Sequence, residues 1–254
     1  MTYFVHAARS AMLLCVAMAC NGNSVQPQAI PVNTAPAAFP GTIAQQRFTF
    51  AGNGATYNYL VFTPTAWTAR ANMPALLLIH GAGGNGADML SLWQSFADAH
   101  GIVVVAPTFP LDAQWEEFVP QLFPALMEQV RQSLHFDRAR VYVFGYSAGS
   151  YSTFDAATLA SSYFAAAGVF AGVITPGYDS MVTQAKRKSA IAIYIGDHDP
   201  FFTLAQTRRT RDLLVSNGFP VHYVEIPNQD HNYSAVSSYV NADAWAYVSG
   251  YSLP

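Results

Sequence analysis

The chain has 254 residues, 52% of them hydrophobic, and 12 Lys and Arg against 15 Asp and Glu give a formal net charge of −3. That length and apolar content support one sizeable core and leave no room for a second catalytic domain. Charge this sparse excludes a nucleic-acid surface: Lys186–Lys188 and Arg208–Arg209 are too short to make one and read as solvated loop and helix faces.

In chain order, Arg9 precedes the apolar run Ala11–Ala19, which is bounded by small residues at Ala17 and Ala19. This is the n-region, h-region and cleavage site of a signal peptide over residues 1–20, too short to span a bilayer as a mature helix. The only cysteines are Cys15, inside the apolar run, and Cys20, directly after the cleavage site, so the mature domain is expected to hold no disulfide. Cys20 occupies a position that resembles the lipid acceptor of bacterial lipoproteins, although leucine is usual where Ala17 stands. Two outcomes stay open: a membrane tether through lipidated Cys20, or ordinary secretion. Either way the product is exported, as a periplasmic, secreted or membrane-anchored protein. Residues 21–45 are expected to be a disordered linker, because Asn21–Pro40 has no charged residue and no apolar period. Its reach by random-coil scaling is about 25 Å. A single domain then covers 46–254.

That domain opens with a hairpin over Gln46–Thr63, in which alternating runs flank the turn signal Gly52-Asn-Gly54. Strands follow at 75–79, 102–106, 140–144, 167–174, 190–195 and 221–226, separated by helical patterns at 87–99, 116–134, 148–161, 203–217 and 235–249. Repeated strand–helix units predict an α/β fold with a mostly parallel sheet and helices on both faces. Phe118, Leu122, Leu126, Val130 and Leu134 recur every four residues and make one apolar stripe, which is core. No Cys/His spacing suits a metal, and neither metal nor cofactor is expected.

The most informative stretch is Val141–Ser150, an apolar run that stops at Gly145-Tyr-Ser-Ala-Gly149 and passes into a helix. A serine on a sharp strand-to-helix turn sits in a strained conformation, so small neighbours are needed at Gly145 and Gly149. Ser147 is the expected nucleophile. The same turn sets the N–H of Ala148 at a helix N-terminus, where it can stabilise an oxyanion.

A nucleophilic serine needs a base, and the base needs a carboxylate to orient it; in this arrangement both follow the serine in the chain. Three histidines do so. His222 lies inside the strand 221–226 and His198 sits between two aspartates, whereas His231 occupies the polar loop Pro227–Tyr233 at a strand's carboxyl end. His231 is the expected base. Asp197 and Asp199 both lie in the turn after strand 190–195; Thr203 and Gln206 form a capping-box pattern that leaves Asp199 just ahead of the next helix, which favours Asp199. Asp155, on the elbow helix, and Asp179, after another strand, are less suited. A second oxyanion donor is expected from Ala82, in the glycine-rich loop His80–Gly84 after the apolar strand. His80 itself, ending a strand ahead of Ser147, reads as structural, and the loop lacks the Lys-Ser/Thr of a phosphate cradle. Phe109, Trp115, Phe201 and Tyr146 are the expected substrate contacts, with Phe202, Tyr233 and Tyr151 also near loops or the elbow.

Taken together, His80-Gly-Ala-Gly-Gly-Asn85, Gly145-Tyr-Ser-Ala-Gly149, Gly196-Asp-His-Asp-Pro200 and the late His231 resemble the secreted α/β-hydrolase esterases grouped with polyhydroxyalkanoate depolymerases and feruloyl esterases. The similarity covers about residues 55–250. It implies an α/β-hydrolase fold, Ser147 as nucleophile, Asp199 as acid, His231 as base, and Ala82 and Ala148 as oxyanion-hole donors. Members of that group often carry a cysteine where this chain has Ala82, and some carry an extra substrate-binding module that is not recognisable here, so the identity of the substrate does not transfer.

The leading expectation is a serine carboxylic-ester hydrolase working through an acyl-enzyme on short acyl, aryl or polyester-type esters, small or polymeric. A serine peptidase or amidase of the same fold is the rival within enzymes. A non-catalytic surface binding protein is the rival outside them, and its usual signature, a broken Ser, His or Asp, is absent.

Overall fold

The computed structural model describes residues 41–69, 72–110 and 117–254. The expected leader, Cys20, most of the linker and Trp115 lie outside the described residues.

Eight strands form one sheet in the order β1-β2-β4-β3-β5-β6-β7-β8. β1 (Thr42–Thr49) and β2 (Thr56–Thr63) make the expected hairpin, and β2 also runs antiparallel to β4 (Val103–Thr108). All other pairings are parallel, linking β3 (Ala75–Ile79), β5 (Val141–Tyr146), β6 (Ala166–Phe170), β7 (Ala190–Gly196) and β8 (Val221–Ile226). This is the α/β-hydrolase architecture. Every residue of β3 and β7 is buried, as a parallel strand covered on both faces requires.

Six helices stand among the described residues: α1 (Gly86–His100), α2 (Val119–Ser133), α3 (Gly149–Thr158), α4 (Ser180–Gln184), α5 (Leu204–Ser216) and α6 (Tyr233–Val248). Strand alternation sends Leu77 and Ile79 into one core, with Leu126, Phe154 and Leu214 of α2, α3 and α5. Leu76 and Leu78 go into the other, with Trp93 of α1 and Val240 of α6. In the expected stripe, Leu122, Leu126 and Val130 are buried, and Phe118 and Leu134 pack against the same core at its margin. α1 and α5 each start with a capping box, Asn85 with Asp88 and Thr203 with Gln206, so their first turns are satisfied locally.

Three differences from the sequence reading have local causes. β1 begins at Thr42, ahead of the domain start expected at 46, because the hairpin ladder extends to the pair Thr42 and Thr63. β6 ends at Phe170 and not at 174: Ala171 adopts a left-handed φ of 53°, which turns the chain out of the sheet. The basic clusters are not simply solvated. Half-buried Arg187 donates to the carbonyls of Ser161, Phe164 and Ala165 at 2.9, 2.5 and 2.7 Å, and burial lowers its pKa. Arg208 pairs with Glu225 and Arg209 with Asp179.

Candidate active site

The site is built at the carboxyl ends of the strands, beginning with the elbow after β5. Ser147 has a φ of 53°, a conformation that costs a non-glycine residue about 1–3 kcal/mol and persists only where the surroundings over-determine it. They do so here. The Ser147 N–H donates to Phe170 O at 3.0 Å, and a Cβ at Gly145 would fall 2.1 Å from Thr153 Oγ1. At Gly149 a Cβ would fall 2.5 Å from His80 O, so both glycines are required by close backbone approach.

His231 reaches Ser147 from the loop between β8 and α6. Its Nε2 lies 2.8 Å from Ser147 Oγ, and its Nδ1 lies 2.7 Å from Asp199 Oδ2. The Asp199 side chain is 0% exposed and that of His231 16%. The other carboxylate oxygen of Asp199 accepts the N–H groups of Phe201 and Phe202 at 2.8 and 2.9 Å, which fixes its orientation in the turn before α5. With a carboxylate at Nδ1, the proton sits on that nitrogen and leaves Nε2 an acceptor toward the serine hydroxyl. Asp197 lies apart from this line, and its carboxylate comes within 3.9 Å of His198. Asp179 is engaged by Arg209.

Ser147 opens onto a cleft of about 410 Å³ that Ala82, Ala148, Tyr146, Phe201 and His231 also line. Among the described residues, neither the Ala82 nor the Ala148 N–H donates to a protein group, so both donors are available to a ligand. The Ala82 loop is held by His80, 2% exposed: Nδ1–H donates to Gly81 O at 2.7 Å, and Nε2 accepts the Phe109 N–H at 3.1 Å. Both ring nitrogens are thus committed to backbone, and His80 is structural, as its place in the sequence suggested.

Of the expected substrate contacts, Tyr146 and Phe201 line the cleft. Phe201 is 69% exposed with its ring edge-on to His231 at 4.7 Å. Tyr146 donates its hydroxyl to His231 O at 2.9 Å. Burial, then the charges of Asp199 and Asp230, hold its phenol above the usual pKa. Phe109 does not reach the cleft. It is a core residue, 3% exposed, wedged edge-on to Tyr57 at 4.9 Å and stacked on Phe123 at 5.6 Å, because its side chain turns inward beneath β2 and α2. Tyr233, the first residue of α6, is likewise buried, whereas Tyr151 and Phe202 line the cleft. The sequence reading missed the link from Tyr146 to the His231 backbone, for which no local signal exists. Among the described residues, no group of three His, Cys, Asp or Glu is placed to hold a metal.

The model of the Dienelactone hydrolase family matches residues 59–251. The chain belongs to this family. The family is described as one of hydrolases. No curated protein matches the chain. Among solved structures it is similar in fold to a thermostable esterase, at 20% identity and a TM-score of 0.64; 83% of this chain is covered but only 63% of that one. A ferulic acid esterase from Anaeromyces mucronatus aligns at 14% identity and a TM-score of 0.69, covering 89% of this chain and 96% of that one. A poly(3-hydroxybutyrate) depolymerase from Bordetella parapertussis aligns at 19% identity and a TM-score of 0.63, covering 82% and 91%.

Proposed function

We propose that this family member is a serine carboxylic-ester hydrolase acting through an acyl-enzyme. The observation that carries the reading is the continuous line Asp199–His231–Ser147 ending beside two available N–H donors. His231 Nε2 takes the Ser147 proton as Oγ attacks the ester carbonyl, and Asp199 stabilises the imidazolium that forms. The oxyanion is received by the N–H groups of Ala82 and Ala148, a contribution of roughly 3–4 kcal/mol per donor in comparable sites. His231 then protonates the departing alcohol. The same residue removes a proton from water, which attacks the acyl-serine and releases the acid.

Short acyl, aryl and polyester-type esters suit the cleft, since aromatic rings border it and the fold is shared with an esterase of ferulic acid and a depolymerase of poly(3-hydroxybutyrate). The test is a fluorophosphonate label followed by peptide mass mapping, run beside hydrolysis of 4-nitrophenyl acetate. Labelling on Ser147 with loss of turnover supports the reading; turnover that survives labelling, or a label on another residue, overturns it.

The leader pattern supports export, and Cys20 after a small-residue cleavage site supports a lipid tether. Intact mass of the mature N-terminus decides between them: a diacylated Cys20 supports the tether, and an unmodified start beyond it leaves plain secretion.

A further inference from the structure

A second pocket, of about 290 Å³, opens on the far side of Tyr151, a residue that lines both it and the cleft holding Ser147. Its walls are apolar: Phe154 of α3, Val173 and Ile174 after β6, and Met181 of α4, all 8% exposed or less. Its mouth is polar and open, with Thr175 and Tyr178 exposed. The early end of β6 creates this space, because the chain leaves the sheet at Ala171 and runs over α3. The wall is braced from outside by α5. Thr210 Oγ1 accepts the Ile174 N–H at 3.0 Å, and Arg209 donates to Ile174 O at 3.2 Å while paired with Asp179. The pocket therefore stands ready without a ligand to shape it.

We propose that this pocket is the second half of the substrate site and receives one arm of the ester, an uncharged arylalkyl group. The proposal rests on the serine-esterase reading of the neighbouring cleft. Size supports it: an apolar cavity of about 150 Å³ accommodates benzene, so this one holds a ring together with its linker. Charge narrows the choice further. Among the described residues, no Lys or Arg lines the pocket or the cleft, so nothing there would neutralise an anionic arm. Buried against these apolar walls, an anionic arm loses water and gains no counter-charge. The arm reaches the pocket past Tyr151, whose ring stands edge-on to Phe202 at 6.5 Å.

The test compares kcat/KM of the full chain on 4-nitrophenyl acetate, 4-nitrophenyl 3-phenylpropanoate and 4-nitrophenyl hydrogen glutarate, and on ethyl acetate against 2-phenylethyl acetate and the anionic 3-acetoxypropanoate. The two series separate an arm on the acyl side from one on the alcohol side. Thr175→Trp fills the mouth from an exposed position, and the ratio of arylalkyl to small ester is expected to fall at least about tenfold in one series, the scale on which apolar pockets discriminate. In the series that carries the arylalkyl effect, Thr175→Lys is expected to raise the ratio of anionic to small ester several-fold by setting a cation at the mouth. An unchanged arylalkyl ratio in both series, with the melting temperature of Thr175→Trp preserved, overturns the pocket; an unchanged ratio of anionic to small ester in Thr175→Lys, in the series that carries the arylalkyl effect, overturns its charge selectivity. A wild-type protein that neither hydrolyses the acetates nor takes a fluorophosphonate overturns the esterase reading itself, a result distinct from both.

Discussion

Two imidazole–carboxylate hydrogen bonds of nearly the same length stand among the described residues, one made through Nδ1 and the other through Nε2. His231 meets Asp199 at 2.7 Å, and His222 meets Asp243 at 2.6 Å. In the first pair the far nitrogen faces a serine held in a left-handed conformation beside available N–H donors. In the second, Asp243 also accepts the Tyr194 hydroxyl at 2.7 Å, and the His222 ring stacks on Tyr247 at 5.1 Å. Burial and the Asp243 carboxylate push the Tyr194 phenol far above its usual pKa, so it stays a neutral donor. The contrast teaches that an imidazole–carboxylate hydrogen bond is common structural material. The strained serine and the unpaired backbone donors separate the proposed catalytic centre from a tie between β7, β8 and α6.

The sharpest break of the comparison is at the far nitrogen. Ser147→Ala is expected to lower kcat on 4-nitrophenyl acetate by roughly a million-fold with the fold retained by circular dichroism, whereas His222→Ala leaves kcat within about twofold. Equal losses would make the two pairs functionally alike. Next, Asp199→Asn places an amide N–H₂ against His231 Nδ1, forces the proton onto Nε2 and removes the acceptor Ser147 needs. The expected loss is about ten-thousand-fold in kcat, while Asp197→Asn, outside the line, retains most of the rate. The reverse order would move the acid to Asp197.

Asp243→Ala probes the structural pair. It strands the buried Tyr194 hydroxyl, at a cost of about 1–3 kcal/mol, seen as a fall of several degrees in Tm with kcat/KM unchanged. A matching loss of activity would show that this tie also positions the His231 loop. The smallest effect concerns a carboxylate with a permanent cation. Burial of Asp137 opposes its ionisation, but the Arg140 hydrogen bond and the Ala139 N–H outweigh it and hold the pKa below the ordinary carboxylate value. Its contribution is therefore full above that value and is lost as pH falls through the lowered one. Asp137→Asn should flatten the acid limb of the wild-type stability curve, by less than Asp243→Ala lowers stability at neutral pH. An acid limb as steep as that of wild type would remove Asp137 from the account.

Much of the site was legible because its signals are local. Gly145 and Gly149 are dictated by a turn only a few residues long, and Asp199 is marked by the Thr203–Gln206 capping box just beyond it. Position after β8 singled out His231. Phe109 was misplaced because the chain leaving β4 can send a side chain to either side, and only the presence of Tyr57 and Phe123 beneath it decides which. The end of β6 was equally invisible, since 167–174 is continuously apolar and nothing in it announces that Ala171 turns left-handed. α4, with five residues, is too short to show a period.

By itself, then, the sequence determined the strand–helix alternation and the elbow and pointed to Ser147 and His231, with Asp199 favoured over Asp197 but not separated from it, because turns, caps and hydrophobic periods act over a few residues and leave their mark in order. Tertiary structure alone decided which aromatics face the cleft, where the pocket beyond Tyr151 lies, and that Asp243 rather than a serine stands before His222. Those contacts join residues up to tens of positions apart, and their geometry follows from how helices pack on the twisted sheet, a property of no single segment.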